Sequence, residues 1–174
     1  MSQSDAHMLY HSDLPYPPVQ AGKKNPSYAR AMLDNLGGSN SEMSAVSLYF
    51  YDSLVTAAQE EISLVFHKIN VVEMHHMEIF GTLASQLGAD PRLWTFRGTK
   101  PTYWTPGYHR YPQKLEMLLR YTIEGEEAAV LKYQKQAKMI LDGNIVENLN
   151  RIILDEQIHI QILKDLYQRY VFET

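Results

Sequence analysis

Two Glu-x-x-His motifs, Glu73/His76 and Glu156/His159, stand 83 positions apart in the chain. A spacing of three puts the carboxylate and the imidazole of each pair on the same face of a helix. Those faces are otherwise apolar. Alternating steps of four and three join Ile62, Phe66, Ile69, Glu73, His76, Phe80, Leu83 and Leu87 in one stripe. Ile145, Leu149, Ile152, Glu156, His159, Leu163, Leu166 and Tyr170 repeat it at the same offset. A second repeat has an offset of 84, with Glu42-x-x-Ala45-x-x-x-Tyr49 matching Glu126-x-x-Ala129-x-x-x-Tyr133. The stripe through Leu115, Leu119, Ile123, Glu126, Ala129, Tyr133, Ala137 and Ile140 selects Glu126 as the inward carboxylate and turns Glu124 and Glu127 toward water.

Four glutamates buried at one level would repel one another and lose hydration, so they would shift toward the protonated form unless cations were present. Two divalent ions remove the conflict, because four carboxylates and two neutral imidazoles then sum to zero formal charge. An oxygen-rich donor set with some nitrogen suits iron or manganese. The expectation is a dinuclear site of two Fe or two Mn ions per chain, held by Glu42, Glu73, His76, Glu126, Glu156 and His159. One Glu from each of two helices and Glu-x-x-His from each of two others is the donor pattern of carboxylate bundles.

Plainer readings stand beside this one. Glu42 could close a capping box with Ser39, and the Glu/His pairs could be metal-free core partners. Tyr49 and Tyr133 either fill core or hydrogen-bond a ligand carboxylate. Asp155 either orients the imidazole of His76 or has a surface or capping role. His67, His75 and His109 lie off the pattern and read as surface or loop histidines, and Lys132, Lys135 and Lys138 read as the solvated face of their helix.

These residues need four long helical segments, approximately 27–57, 59–87, 112–141 and 144–171. Gly37-Gly38 leaves the first either continuous or broken in two. Pro112 suits the first turn of the third, Gly143 stops it, and Asn144 with Glu147 resembles a capping box opening the fourth. Residues 88–111 carry Pro91, Pro101, Pro106, Trp94 and Trp104, too proline-rich for a helix and long enough to cross a bundle. The expected fold is all-α: an antiparallel four-helix bundle of two helical hairpins joined by one long crossover. Residues 1–26, with Pro15, Pro17, Pro18 and Pro26, read as an extended arm, and residues 27–174 as the bundle.

Composition narrows the function. The chain of 174 residues has 16 Lys+Arg against 20 Asp+Glu and no long basic run, which disfavours binding to nucleic acid. With no cysteine there is no disulfide, thiolate nucleophile or Cys-ligated haem or iron–sulfur centre. No apolar stretch approaches a membrane span and the N-terminus has no signal-peptide core, so a cytoplasmic protein is expected.

Gly125-Glu126-x-x-Ala129-x-x-x-Tyr133, Val72-Glu73-Met74-His75-His76-Met77-Glu78 and Asp155-Glu156-x-x-His159 resemble the rubrerythrin branch of the ferritin-like superfamily. Gly37-Gly38 ahead of Glu42 and the Glu-x-x-His-x-Glu run are also similar to manganese catalases. The resemblance covers roughly residues 27–171 and implies that the six Glu and His residues above bind the metals of a non-haem protein acting on hydrogen peroxide or dioxygen. Rubrerythrins usually carry a further Glu where this sequence has Ala129, and their rubredoxin module needs cysteines that are absent here. The expected activity is therefore reduction or disproportionation of hydrogen peroxide by a homodimer, with an external electron donor if turnover is reductive. Alternatives are an iron-oxidising, iron-handling protein and a non-enzymatic, metal-stabilised bundle.

Overall fold

The computed structural model describes residues 9–172. Helix α1 spans Pro26–Gly37, α2 Glu42–Val55, α3 Glu60–Gln86, α4 Leu115–Met139 and α5 Gly143–Tyr167, with a short wide turn over Gln168–Phe172. A two-stranded hairpin, β1 Trp94–Arg97 and β2 Lys100–Tyr103, lies between α3 and α4. Helix α2 packs along α3 and α4 along α5, while α1 lies against α3 and carries the first strand of the hairpin. This is the four-helix bundle expected from the stripes. Among the described residues no helix is long and apolar enough to cross a membrane.

The first helical segment is two helices. Asn25 caps α1 by accepting from Ser27 N and Tyr28 N, with Pro26 in the first position, where its missing N–H costs nothing. Gly37 ends α1 because the loop before β1 lies directly against it: a Cβ there would come within 2.6 Å of Trp94 N. Ser41 then caps α2 by accepting from Ser44 N, so Glu42 is a first-turn residue rather than the partner of Ser39 in a capping box.

Other ends shift as well. Helix α4 begins after Lys114, beyond Pro112, and stops at Ile140, whose backbone is extended. Gly143 is the first residue of α5, not the stop of α4, and the cap is Asp142, whose side chain accepts from Asn144 N and Ile145 N. Asn144 and Glu147 therefore form no capping box. In the hairpin, Trp94 pairs with Tyr103 and Arg97 with Lys100 around a two-residue turn, where Gly98 takes a φ of +62°. The sequence reading expected no strand there. Beyond the hairpin the chain follows α2: Trp104 Nε1 donates to Ser44 Oγ, His109 Nε2 lies 2.8 Å from Ser47 Oγ, and Tyr111 packs on Tyr51.

Two apolar clusters fill the bundle. One contains Ile79, Phe80, Leu83, Ala129, Leu149 and Ile152 with α1, and the other Ile62, Phe66, Ile69, Leu119, Ile162 and Leu163. Glu73, His76, Glu126, Glu156 and His159 fall between these two sets on α3, α4 and α5, so a polar layer divides the core. Burial of apolar groups on both sides fixes the helices that carry it.

Candidate metal centre

Glu42, Glu73, His76, Glu126, Glu156 and His159 are all buried, and the helices converge them on one volume. One donor atom from each of Glu42, Glu73, His76 and Glu156 lies within 4.8 Å of the others. The same holds for Glu73, Glu126, Glu156 and His159, so Glu73 and Glu156 belong to both groups. His76 Nδ1 is 3.3 Å from Glu73 Oε2 and 3.2 Å from Glu156 Oε1; His159 Nδ1 is 2.8 Å from Glu73 Oε1 and 3.0 Å from Glu156 Oε2. Glu73 Oε1 and Glu156 Oε1 have these close nitrogens but no aligned hydrogen bond, although both are buried. Carboxylate oxygens left without an aligned donor, beside imidazole nitrogens and without any thiolate, fit a hard divalent cation. Glu124 and Glu127, the neighbours of Glu126, are exposed.

The Nε2 edges of both rings face acceptors. His76 Nε2 is 3.1 Å from Asp155 Oδ2, and His159 Nε2 is 2.9 Å from the carbonyl oxygen of Tyr10. A carbonyl or a carboxylate can only accept, so each ring carries a proton on Nε2 and directs Nδ1 at the glutamates. Burial would raise Asp155, but hydrogen bonds from His76, Tyr16, Ser12 and Arg151 outweigh it and hold its carboxyl at about 2.

The tyrosines reach across the bundle: the Tyr49 hydroxyl donates to Glu126 and the Tyr133 hydroxyl to Glu42. Burial and the surrounding carboxylates push both phenols well above their usual range, so they remain donors. Burial, reinforced by Glu73 and Glu156, likewise raises Glu42 and Glu126. Burial opposes ionisation of Glu73 and Glu156 too, yet the two imidazoles outweigh it and hold both below the ordinary carboxyl value. Burial also opposes charge on His76 and His159, but the carboxylates around them overcome it and raise both well above 6.5. Near pH 5 these directions together pair two carboxylates with two imidazolium ions and leave the other two carboxyls neutral.

A cavity of about 270 Å³ opens between α2 and α4 onto Glu42, Glu126, Tyr49 and Tyr133, with Ala129 in its wall and His109 in its lining. His109 lies in a loop, as expected, but is half-buried there, and burial lowers its pKa. Lys132 is misplaced by the helical pattern. Its ammonium donates to Asn40 O in the α1–α2 loop and lies 3.9 Å from Asp34, and burial lowers its pKa; Lys135 and Lys138 do face water. His67 and His75 are exposed, as expected. Tyr10, Ser12 and Tyr16 of the arm, and Arg151, were missed. No periodicity marks the arm residues, but Arg151 precedes Asp155 by one helical turn on a buried face, a visible signal.

The family model of the manganese-containing catalases matches residues 8–97, just over half of the chain. The chain belongs to this family. Of the two resemblances read from the sequence, the match supports the manganese catalases, and it includes Glu42, Glu73 and His76 but stops short of α4 and α5. Two solved structures share the catalase-family fold. Wild-type KatB, a manganese catalase from Anabaena, superposes with a TM-score of 0.81 at 22% identity, over 92% of this chain and 80% of that one. KatB from Anabaena PCC7120 gives 0.78 at 23% identity with the same coverage. No match was found among curated proteins.

Proposed function

We propose that this chain disproportionates hydrogen peroxide to water and dioxygen at a dimanganese centre. Glu42, Glu73, His76 and Glu156 would hold one ion and Glu73, Glu126, Glu156 and His159 the other. The observation that carries the reading is the pair of four-residue clusters sharing Glu73 and Glu156 inside a member of the manganese catalase family. Bound manganese supplies a two-electron redox change, by which one peroxide is reduced and a second oxidised. Two hydrogen peroxide molecules give two waters and one dioxygen, so no external electron donor is needed.

The chain's own residues govern access and geometry. Of the six metal-binding candidates, Glu42 and Glu126 line the cavity, so peroxide enters between α2 and α4. The Tyr133 and Tyr49 hydroxyls fix those two carboxylates as hydrogen-bond donors. Ala45, Leu48 and Ala129 give the entrance apolar wall and limit how much water can order beside the centre. Asp155 and the Tyr10 carbonyl keep both imidazoles in the Nε2–H tautomer that leaves Nδ1 free to ligate.

The test combines manganese analysis of the purified chain with oxygen-electrode measurements. The expected result is about two manganese ions per chain, the count read from the two clusters, and one dioxygen released per two peroxides without reductant. A chain loaded with manganese that consumes no peroxide, or does so only with added reductant and without releasing dioxygen, refutes the reading.

A further inference from the structure

The repeat that builds the centre is broken around its imidazoles. On α5, Asp155 precedes Glu156 and accepts the Nε2–H of His76 across the bundle. The equivalent position on α3 is Val72, which has no acceptor for His159. The acceptor comes instead from outside the helices, as the main-chain carbonyl of Tyr10.

The same short stretch of arm also holds the acceptor of the other ring. Ser12 N donates to Asp155 Oδ1 at 2.7 Å, and the Tyr16 hydroxyl donates to Asp155 Oδ2 at 2.5 Å. Arg151 ties the stretch down from the helix side. Its Nη1 pairs with Asp155 Oδ1, its Nε donates to Leu14 O, its second Nη donates to Ser12 O, and its guanidinium stacks 4.0 Å from the Tyr16 ring centroid. Further along, Gln86 and Asn148 hold the arm by its main chain at Val19, Ala21 and Pro18.

We propose that residues 10–16 are a positioning strap for both imidazoles, so that docking of the arm and occupancy of the metal centre stabilise each other; this rests on the metal-centre reading above. With the strap docked, both Nε2–H groups have acceptors and both Nδ1 atoms face the glutamates. With it displaced, His159 loses its acceptor and Asp155 loses two of its donors, so both rings are freed to turn. The coupling is reciprocal by thermodynamic necessity: whatever the strap adds to metal affinity, the metal adds to strap docking.

The experiment uses the full chain, metal-free and loaded with Mn²⁺, and two readouts that do not depend on turnover. Hydrogen exchange at the Ser12 amide should slow by about tenfold or more on loading, since by reciprocity the arm gains the factor that such partners of metal ligands contribute to affinity. Tyr16→Phe keeps the ring beneath Arg151 but removes the hydroxyl, and should speed Mn²⁺ loss to a chelator by about tenfold or more. Tyr28→Phe, which removes a hydroxyl bonded to Leu141 N away from the centre, should leave that rate unchanged. Arm exchange that ignores metal, or a Tyr16→Phe rate equal to that of the unaltered chain, overturns the strap while leaving the metal centre standing. Failure of the unaltered chain to bind Mn²⁺ overturns both.

Discussion

Loading the centre with manganese should expel about four protons per chain near pH 5, just above the ordinary carboxyl value. In the metal-free cluster Glu42 and Glu126 are held neutral by burial and by the carboxylates of Glu73 and Glu156, while His76 and His159 are held protonated by the carboxylates around them. Two ions bound by four carboxylates and two neutral imidazoles require one proton to leave each of those four residues. Every proton released makes the overall loading constant tenfold larger per pH unit, so four give about ten-thousand-fold per unit, or about a hundredfold in affinity per ion. The direction is fixed: affinity falls as pH falls from 6.5. The dependence stays steep until Glu73 and Glu156, whose values are held below 4.5, take up protons in turn, and it flattens above the raised values of the other four. Titration calorimetry with Mn²⁺ near pH 5, in buffers of contrasting ionisation enthalpy, counts the protons directly. Full loading with release of one proton or fewer would refute the charge assignment of the cluster.

Two further outcomes follow from burial. Glu126→Ala should cut manganese stoichiometry, whereas Glu124→Ala and Glu127→Ala should keep it, since both residues are exposed; loss of the Glu127–Lys164 pair should cost only about 0–1 kcal/mol in a thermal melt. A site emptied by Glu127→Ala but not by Glu126→Ala would show the register of α4 to be wrong. Asp52 is buried with Oδ1 unpaired, and burial pushes its carboxyl up to about 8 despite the Thr122 hydroxyl that donates to it. The folded chain therefore keeps a proton that the unfolded chain releases near the ordinary 3.8, and stability falls as pH rises from there toward 8. Asp52→Asn should remove that slope and gain at most about 5 kcal/mol at pH 8, measured by melts at pH 5 and 8; equal slopes in the two proteins would refute the buried neutral carboxyl.

The inward faces of α3, α4 and α5 were legible because burial repeats with the period of the helix. Glu73, His76, Glu126, Glu156 and His159 occupy stripe positions that a core must cover on both sides, and the exposure of Glu124 and Glu127 follows from the same angle. What escaped depends on contacts distant in sequence. Gly37 ends a helix because Trp94 lies against it, and the side chain of Lys132 is drawn under the α1–α2 loop by a carbonyl of Asn40. The hairpin had a local signal in Gly98, but Pro101 in the second strand concealed it; that residue is tolerated in a two-stranded sheet where edges are free. The arm's part in the site had no side-chain signature at Tyr10, since the atom facing His159 is a main-chain oxygen that any residue would supply.

The duplication does more than place two half-sites side by side. Tyr49 follows Glu42 by seven residues and Tyr133 follows Glu126 by seven, which puts each phenol two turns, about 10 Å, along the axis from the glutamate of its own helix. Each hydroxyl donates to the glutamate of the other half instead, Tyr49 to Glu126 and Tyr133 to Glu42. Antiparallel packing of α2 and α4 makes the two spacings reciprocal, because the residue seven beyond one glutamate comes level with the other. A single hairpin could therefore place a glutamate but not orient it. Glu73 and Glu156 obey the same logic from the opposite pair of helices, each contacting the imidazole of its own motif and that of its repeat. The two carboxylates that face the cavity are aimed by the opposite half, and the two that face away belong to both clusters, so the centre exists only when both hairpins close on it.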